Sequence, residues 1–304
     1  MPSGAELFVR SIAELGISQI FTLVGDHLNE VLAVAAREGI RILDMRHESG
    51  VTHAADAWAR MQRKPAVSLV TGGPGHTNSL TGIATANLAA SPLIAVSGSR
   101  ATQLGERGAF QDIDQVGMAR PVVKWAAEPP SAAQIPFYLV RAYSEANTGR
   151  RGAVHLTIPV DLLTAETTGA PAIPVPAEVS APRPDSAEID RAIALLRSAE
   201  RPVIIAGSGI WWSGAEGELQ EFIETASLPL YTITLAVVVG CILLALILYA
   251  FSLVSVPAIV FFPAYSIYFF ASRYPGLDAL VHPVPPLAPP PLPPPLPPTP
   301  EPIG

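Results

Sequence analysis

The sequence predicts an α/β fold built on a doubly wound parallel sheet. Two observations carry this expectation. Short β-branched runs alternate with segments of helical period from Gly4 to Ser97, which is the pattern of strands joined by right-handed helical crossovers. Two loops that follow strands also have unusual chemistry, Arg46-His47-Glu48 and Gly72-Gly73-Pro74-Gly75. They fall at the carboxyl ends of the strands, where ligands gather in such sheets.

The elements follow in order. Leu7, Phe8, Ile12 and Leu15 recur at helical spacing and Gly16 closes the helix. Gln19–Val24 reads as a strand that ends at Gly25, and a helix then runs to Glu38 and stops at Gly39. A strand at Arg41–Asp44, a helix at Ser49–Arg63 and a strand at Ala66–Thr71 follow. After the glycine turn come a helix from Thr77 to Ala90 and a strand at Leu93–Ser97. Ala153–Thr157 reads as one more strand, ended by Ile158-Pro159.

Residues 164–185 are rich in Pro, Ala and Thr without periodicity and read as a linker. A second α/β unit over 186–231 then begins with a helix at Glu188–Ser198 and a strand at Pro202–Ala206. Gly207-Ser208-Gly209, a helix from Gly217 to Ala226 and a strand starting at Leu228 complete it. This unit stops before a sheet is finished. The domain expectation is therefore 1–163, a linker, 186–231, an apolar segment at 232–272 and a tail at 273–304.

From Thr225 to Ser272 there is no Asp, Glu, Lys or Arg. Ile233–Phe251 is about 19 residues long, enough to cross a hydrocarbon core about 30 Å thick. Residues 256–271 form a second apolar run broken by Pro257 and Pro263. A membrane is thus a candidate partner through 233–271. Of the last 24 residues 13 are Pro, which dictates polyproline II and no packed core.

A net charge of -7 and the lack of a basic cluster exclude nucleic acid as a partner. The single cysteine, Cys241, excludes an internal disulfide and a multi-thiolate metal site. The N-terminus carries Glu6 and Arg10 and no apolar signal region, so residues 1–231 are expected in the cytosol.

On spacing alone the chemistry is thin. Glu48 would sit in the first turn of a helix, where the dipole favours a carboxylate, but such a Glu is common. The glycines at 72–75 allow close backbone approach to a ligand, and equally serve a tight turn. Neither a Walker loop nor a dinucleotide fingerprint is present. His27, His53 and His76 are scattered and read as core or capping residues rather than as a metal site.

Three longer stretches narrow the reading. Arg46–Arg60, Val70–Asn78 and Gly108–Asp114, followed by Arg120–Lys124, resemble in order and spacing the pyrimidine-binding domain of thiamine-diphosphate (ThDP) enzymes of the acetolactate-synthase type. Gly152–Asp161 resembles the end of that domain, and Arg201–Gly209 the opening of the middle one. The resemblance implies ThDP as cofactor and leaves FAD use open. It implies that Glu48 hydrogen-bonds N1′ of the aminopyrimidine, the ring that takes up the C2 proton in these enzymes. Gly25, Gly73, Pro74 and Asn78 would line the cofactor, and Phe110, Gln111 and Lys124 the substrate side. Substrates would be small 2-oxoacids or acyl-CoA thioesters, because 2-hydroxyacyl-CoA lyases share much of the pattern.

The chain departs from the family after Tyr231, and the GDG motif that holds diphosphate and Mg²⁺ does not occur in it. Three readings follow. The chain is a fragment by origin, its C-terminus altered by a changed reading frame. Or it is a membrane-anchored, non-catalytic scaffold with a proline-rich interaction tail. Or it is a half-enzyme, inactive alone, that works as a homo-oligomer or with a partner supplying the diphosphate domain and Mg²⁺.

Overall fold

The computed structural model of the protein describes residues 1–168, 172–173, 184–226, 230–232 and 242–246. The proline tail and most of the apolar run and of the expected linker lie outside these residues. The chain divides into two units, Met1–Pro229 and Leu230–Gly304.

The first unit opens with α1 (Gly4–Glu14), β1 (Gln19–Thr22), α2 (Asn29–Arg37), β2 (Arg41–Asp44), α3 (Glu48–Gln62), β3 (Ala66–Val70), α4 (Pro74–Leu88) and β4 (Leu93–Ser99). It continues through α5 (Gln115–Ala119), β5 (Ala126–Ala127), α6 (Ile135–Asn147), β6 (Val154–Pro159) and α7 (Val160–Thr164). Then come α8 (Ser186–Ser198), β7 (Ile204–Ala206), α9 (Ser208–Ser213) and α10 (Glu216–Ala226). In the second unit the described residues hold β8 (Leu230–Thr232) and a helical stretch at 242–246.

Local chemistry sets the boundaries. Ser3 caps α1 in a reciprocal box, its hydroxyl accepting from Glu6 N at 3.2 Å while Glu6 Oε2 accepts from Ser3 N at 3.0 Å. Gly16 at φ 75° ends that helix as expected. The start of α4 differs from the expectation. The helix begins at Pro74, not Thr77, because Gly73 takes φ 59° at the N-cap and the fixed φ of proline suits the first turn. The glycine turn is therefore part of the helix start, which puts Asn78 only one turn in.

The sheet is six-stranded and parallel, in the order β2-β1-β3-β4-β6-β5. Strands β3, β4 and β6 are buried along their whole length, as a sheet covered on both faces requires. On one face Phe8, Ile12, Leu32, Leu139 and Leu163 pack against Ile20, Val67 and Leu156. On the other, Val51, Ala55, Ile83 and Ala86 pack against Phe21, Val70 and Leu93. After β2 the chain crosses to the far side of β1, so the order reverses between β1 and β3. Such a reversal opens a crevice at the carboxyl ends of those strands.

Trp211 of α9 donates from Nε1 to the Arg60 carbonyl at 2.9 Å, and the Arg63 guanidinium lies 3.6 Å over its ring. These contacts seat α9 on the C-terminal end of α3. No helix among the described residues is long and apolar enough to cross a membrane.

Candidate functional site

The crevice between β1 and β3 is where the sequence motifs meet. Gly25 follows β1 and sits against Thr71 after β3, so closely that a Cβ at 25 would lie 2.5 Å from Thr71 Cβ. Only glycine allows this approach. Helices α3 and α4 start beside it and run in the same direction. They touch at Thr52 and Gly82, where a Cβ on Gly82 would fall 2.0 Å from Thr52 Oγ1. Thr52 Oγ1 also lies 3.2 Å from the Ser79 carbonyl, which competes for its proton with the Ser49 carbonyl at 3.1 Å. One helical turn towards the N-termini from this contact lie Glu48 and Asn78, which the register therefore brings together.

Asn78 Nδ2 donates to Glu48 Oε2 at 3.0 Å. Glu48 is the first residue of α3, and His47 caps the helix by accepting from Ser49 N at 3.1 Å. The carboxylate is half-buried and the asparagine exposed. Gly75 flanks them. A Cβ there would meet Thr71 Cγ2 at 2.8 Å and Glu48 Oε1 at 3.6 Å, so the missing side chain keeps the second carboxylate oxygen uncovered.

The turn before α4 is pinned through consecutive amides. Gly72 N donates to His27 Nδ1 at 3.3 Å, and Gly73 N donates to Gln115 Oε1 at 3.0 Å. Gln115 in turn donates from Nε2 to the Gly98 carbonyl at 3.1 Å. Gly73 backs onto Gln111, where a Cβ would stand 2.7 Å from Gln111 Cβ. Gln111 itself has φ 60°, and its Oε1 lies 3.4 Å from Thr71 Oγ1. Phe110 beside it is 71% exposed.

Gly25, Glu48, Gly73, Pro74, Asn78 and Gln111 thus share one crevice, with Phe110 at its edge. Lys124 is placed elsewhere. Its ammonium donates to the Thr148 carbonyl at 2.7 Å and to the Glu145 carbonyl, both at the C-terminal end of α6. Its backbone N donates to the Ala153 carbonyl just before β6, on the amino side of the sheet. Within this chain Lys124 does not approach Glu48.

Sequence reasoning singled out neither Gln115 nor the role of His27. Gln115 opens α5, a five-residue helix too short to show a period, and His27 reads from sequence as a core or cap histidine. His76 is buried, as expected, and packs against buried His155 with ring centroids 4.5 Å apart and planes tilted by 50°. Burial pushes the pKa of His76 down to about 4, a backbone hydrogen bond at Gln115 opposing it, and pushes His155 well below the ordinary value. His53 is exposed. Among the described residues no three His, Cys, Asp or Glu side chains gather as a metal site.

A second cleft of about 420 Å³ opens at the carboxyl ends of β4 and β6, lined by Ser99, Arg100, Asp112, Gln115, Glu128 and Thr157. Arg100 Nε pairs with Asp112 Oδ1 at 3.1 Å across it. Burial raises the Glu128 carboxyl above its usual range, Arg100 opposing and Asp161 and Asp112 adding.

Comparison with known proteins identifies a family. Residues 2–118 match the family described as thiamine pyrophosphate enzyme, N-terminal TPP binding domain, and residues 189–237 match its central domain. The chain is 36% identical over 235 residues to an acetolactate synthase large subunit of Buchnera aphidicola, covering 76% of this chain and 41% of that protein. It is 36% identical over 234 residues to the acetolactate synthase isozyme 3 large subunit of Escherichia coli, covering 75% and 41%. With a Mycobacterium tuberculosis acetolactate synthase large subunit it shares 34% over 227 residues, covering 73% and 41%. The chain spans about two fifths of the length of these curated relatives. It carries the N-terminal TPP binding domain and part of the central domain of the thiamine pyrophosphate enzymes, and to that family it belongs.

Proposed function

We propose that this chain supplies the aminopyrimidine side of a ThDP site in an acetolactate-synthase-like enzyme of 2-oxoacid decarboxylation or carbon–carbon bond chemistry. The observation that carries it is the Glu48–Asn78 pair beside Gly75, at the sheet's topological switch point. The residues fit the ring. Glu48 keeps Oε1 uncovered by a side chain at 75 and can accept a hydrogen bond from a ring nitrogen, while Asn78 holds Oε2 in place.

ThDP supplies the stabilised carbanion chemistry that no side chain can provide. Glu48 holds or moves the proton at the pyrimidine nitrogen. Asn78 fixes its rotamer, and Gly73 and Pro74 shape the turn that faces the ring. Gln111 and the bare ring of Phe110 stand where a substrate would approach, and Lys124 would serve a substrate only in an assembled site. The diphosphate and Mg²⁺ are assigned to chain segments or partners that carry the family's GDG motif. A partner or chain segment carrying the diphosphate domain completes the site, and without it this chain does not turn over substrate. In this reading residues 1–163 are the pyrimidine domain, 186–231 the opening of the middle domain, and both work in the cytosol.

Titration of 4-amino-2-methylpyrimidine into the full chain tests the reading. Saturable binding that Glu48→Gln abolishes supports it, and binding that the substitution leaves unchanged sinks it.

A further inference from the structure

His27 is buried, yet it is neither a core filler nor a capping residue. It lies in the short 3₁₀ turn Asp26–Leu28 after β1, in a slot that the neighbouring strands leave for it. A Cβ on Gly98, near the end of β4, would lie 2.4 Å from His27 Cβ. The ring is thereby wedged among the carboxyl ends of β1, β3 and β4. Its Nδ1 lies 2.9 Å from Thr71 Oγ1 and 3.3 Å from Gly72 N.

The tautomer follows from chemistry. A backbone N–H can only donate, so the Gly72 contact requires an unprotonated Nδ1 with the ring proton on Nε2, and the Thr71 hydroxyl then donates to Nδ1 as well. Burial keeps the ring neutral by lowering its pKa, against the opposing charge of Asp26. Gly73 N, the next amide along, is taken by Gln115. Two side chains from distant parts of the sequence thus hold two successive amides of one turn. That turn launches α4, and α4 carries Gly75 and Asn78 to Glu48.

We infer that His27 is a positioning residue, whose unprotonated Nδ1 fixes the Gly72–Gly75 turn and so sets Asn78 and Gly75 against Glu48. The inference rests on the proposed aminopyrimidine site for its functional consequence, and on the turn's geometry for its structural one. His27 does not touch Glu48 and is not a catalytic residue.

The test uses the full chain and three proteins, wild type, His27→Asn and His27→Leu. Asparagine places an amide oxygen near the position of Nδ1, whereas leucine fills the slot without an acceptor. Two readouts are taken at neutral pH, hydrogen exchange at the Gly72 amide and affinity for 4-amino-2-methylpyrimidine. His27→Leu should speed Gly72 exchange by about tenfold or more and weaken the probe by a similar factor, since tenfold corresponds to about 1.4 kcal/mol. His27→Asn should restore both.

Equal exchange and affinity in all three proteins would overturn the inference. So would a His27→Asn protein that loses as much as His27→Leu. If His27→Leu does not fold, the imidazole ¹⁵N resonances of wild type decide, and a protonated Nδ1 at neutral pH refutes the role. If wild type fails to bind the probe, the aminopyrimidine reading falls, and the exchange data alone decide whether His27 holds the turn.

Discussion

Glu48 and Asn78 are 30 residues apart in sequence and 3.0 Å apart in space, joined carboxylate to amide at the starts of two parallel helices. The contact one turn further on, Thr52 against Gly82, fixes the register that makes this meeting happen. Four positions therefore act as one device, two for packing and two for chemistry.

Glu48→Gln keeps the hydrogen bond from Asn78 and removes the charge. With a diphosphate-side partner present, turnover should fall by roughly 10²-fold or more, the usual weight of a positioned acid–base group. Thermal melting should stay within a few degrees of wild type. Asn78→Ala should weaken aminopyrimidine binding by about tenfold, because the carboxylate keeps its place but loses its orienting donor. Calorimetry on the two variants separates these effects.

Gly82→Ala should cost about 1–3 kcal/mol of stability from overpacking against Thr52, and more if the helices cannot part. Thr52→Gly in the same chain removes the obstructing atoms. Denaturant unfolding of the two single variants and the double variant should show a favourable coupling between them. Strict additivity would contradict the packing account.

Gly73 and Gly39 both have positive φ, 59° and 76°. A Cβ at 39 meets nothing within 4 Å, so Gly39→Ala should cost only the backbone penalty of about 1–2 kcal/mol. Gly73→Ala adds a clash with Gln111 and should cost more, and should displace the Gly108–Asp114 loop as well. Comparing the two unfolding midpoints isolates the contribution of the turn.

His76 and His155 make stability depend on acid. Both have folded pKa values below the unfolded value of 6.5, so the unfolded chain binds protons that the folded chain refuses. Their stabilisation is complete above about pH 6.5 and declines as pH falls towards 4. For His76 the shift to about 4 is worth about 3 kcal/mol, at about 1.4 kcal/mol per unit. Urea unfolding between pH 7 and 4 should show this slope, and His155→Leu should flatten part of it.

Much of the sheet was legible because its strands are short apolar runs set off by glycine or charged residues. Arg41–Asp44 has the same limits in sequence and structure, and Ala66–Thr71 differs by one residue. Helix α6 was legible but unread. Its buried Ile135, Leu139, Ala142 and Ala146 recur at helical spacing, while Pro136 and the aromatic Phe137-Tyr138 pair look like a loop or strand start. The site was legible only in its motifs. Glu48 and Asn78 could be named from sequence by resemblance, but their meeting depends on Thr52 and Gly82, which carry no local signal. His27 and Gln115 were hidden for a related reason. Each acts through a backbone amide more than forty positions away, and sequence period does not report such contacts.

The most direct test of the central claim is calorimetric titration of ThDP with Mg²⁺ into the full chain mixed with the diphosphate-side portion of an acetolactate synthase relative. Saturable binding is expected in the mixture, and Glu48→Gln should abolish it. Absence of binding in the mixture, or equal binding by the Glu48→Gln chain, would contradict the aminopyrimidine role of Glu48.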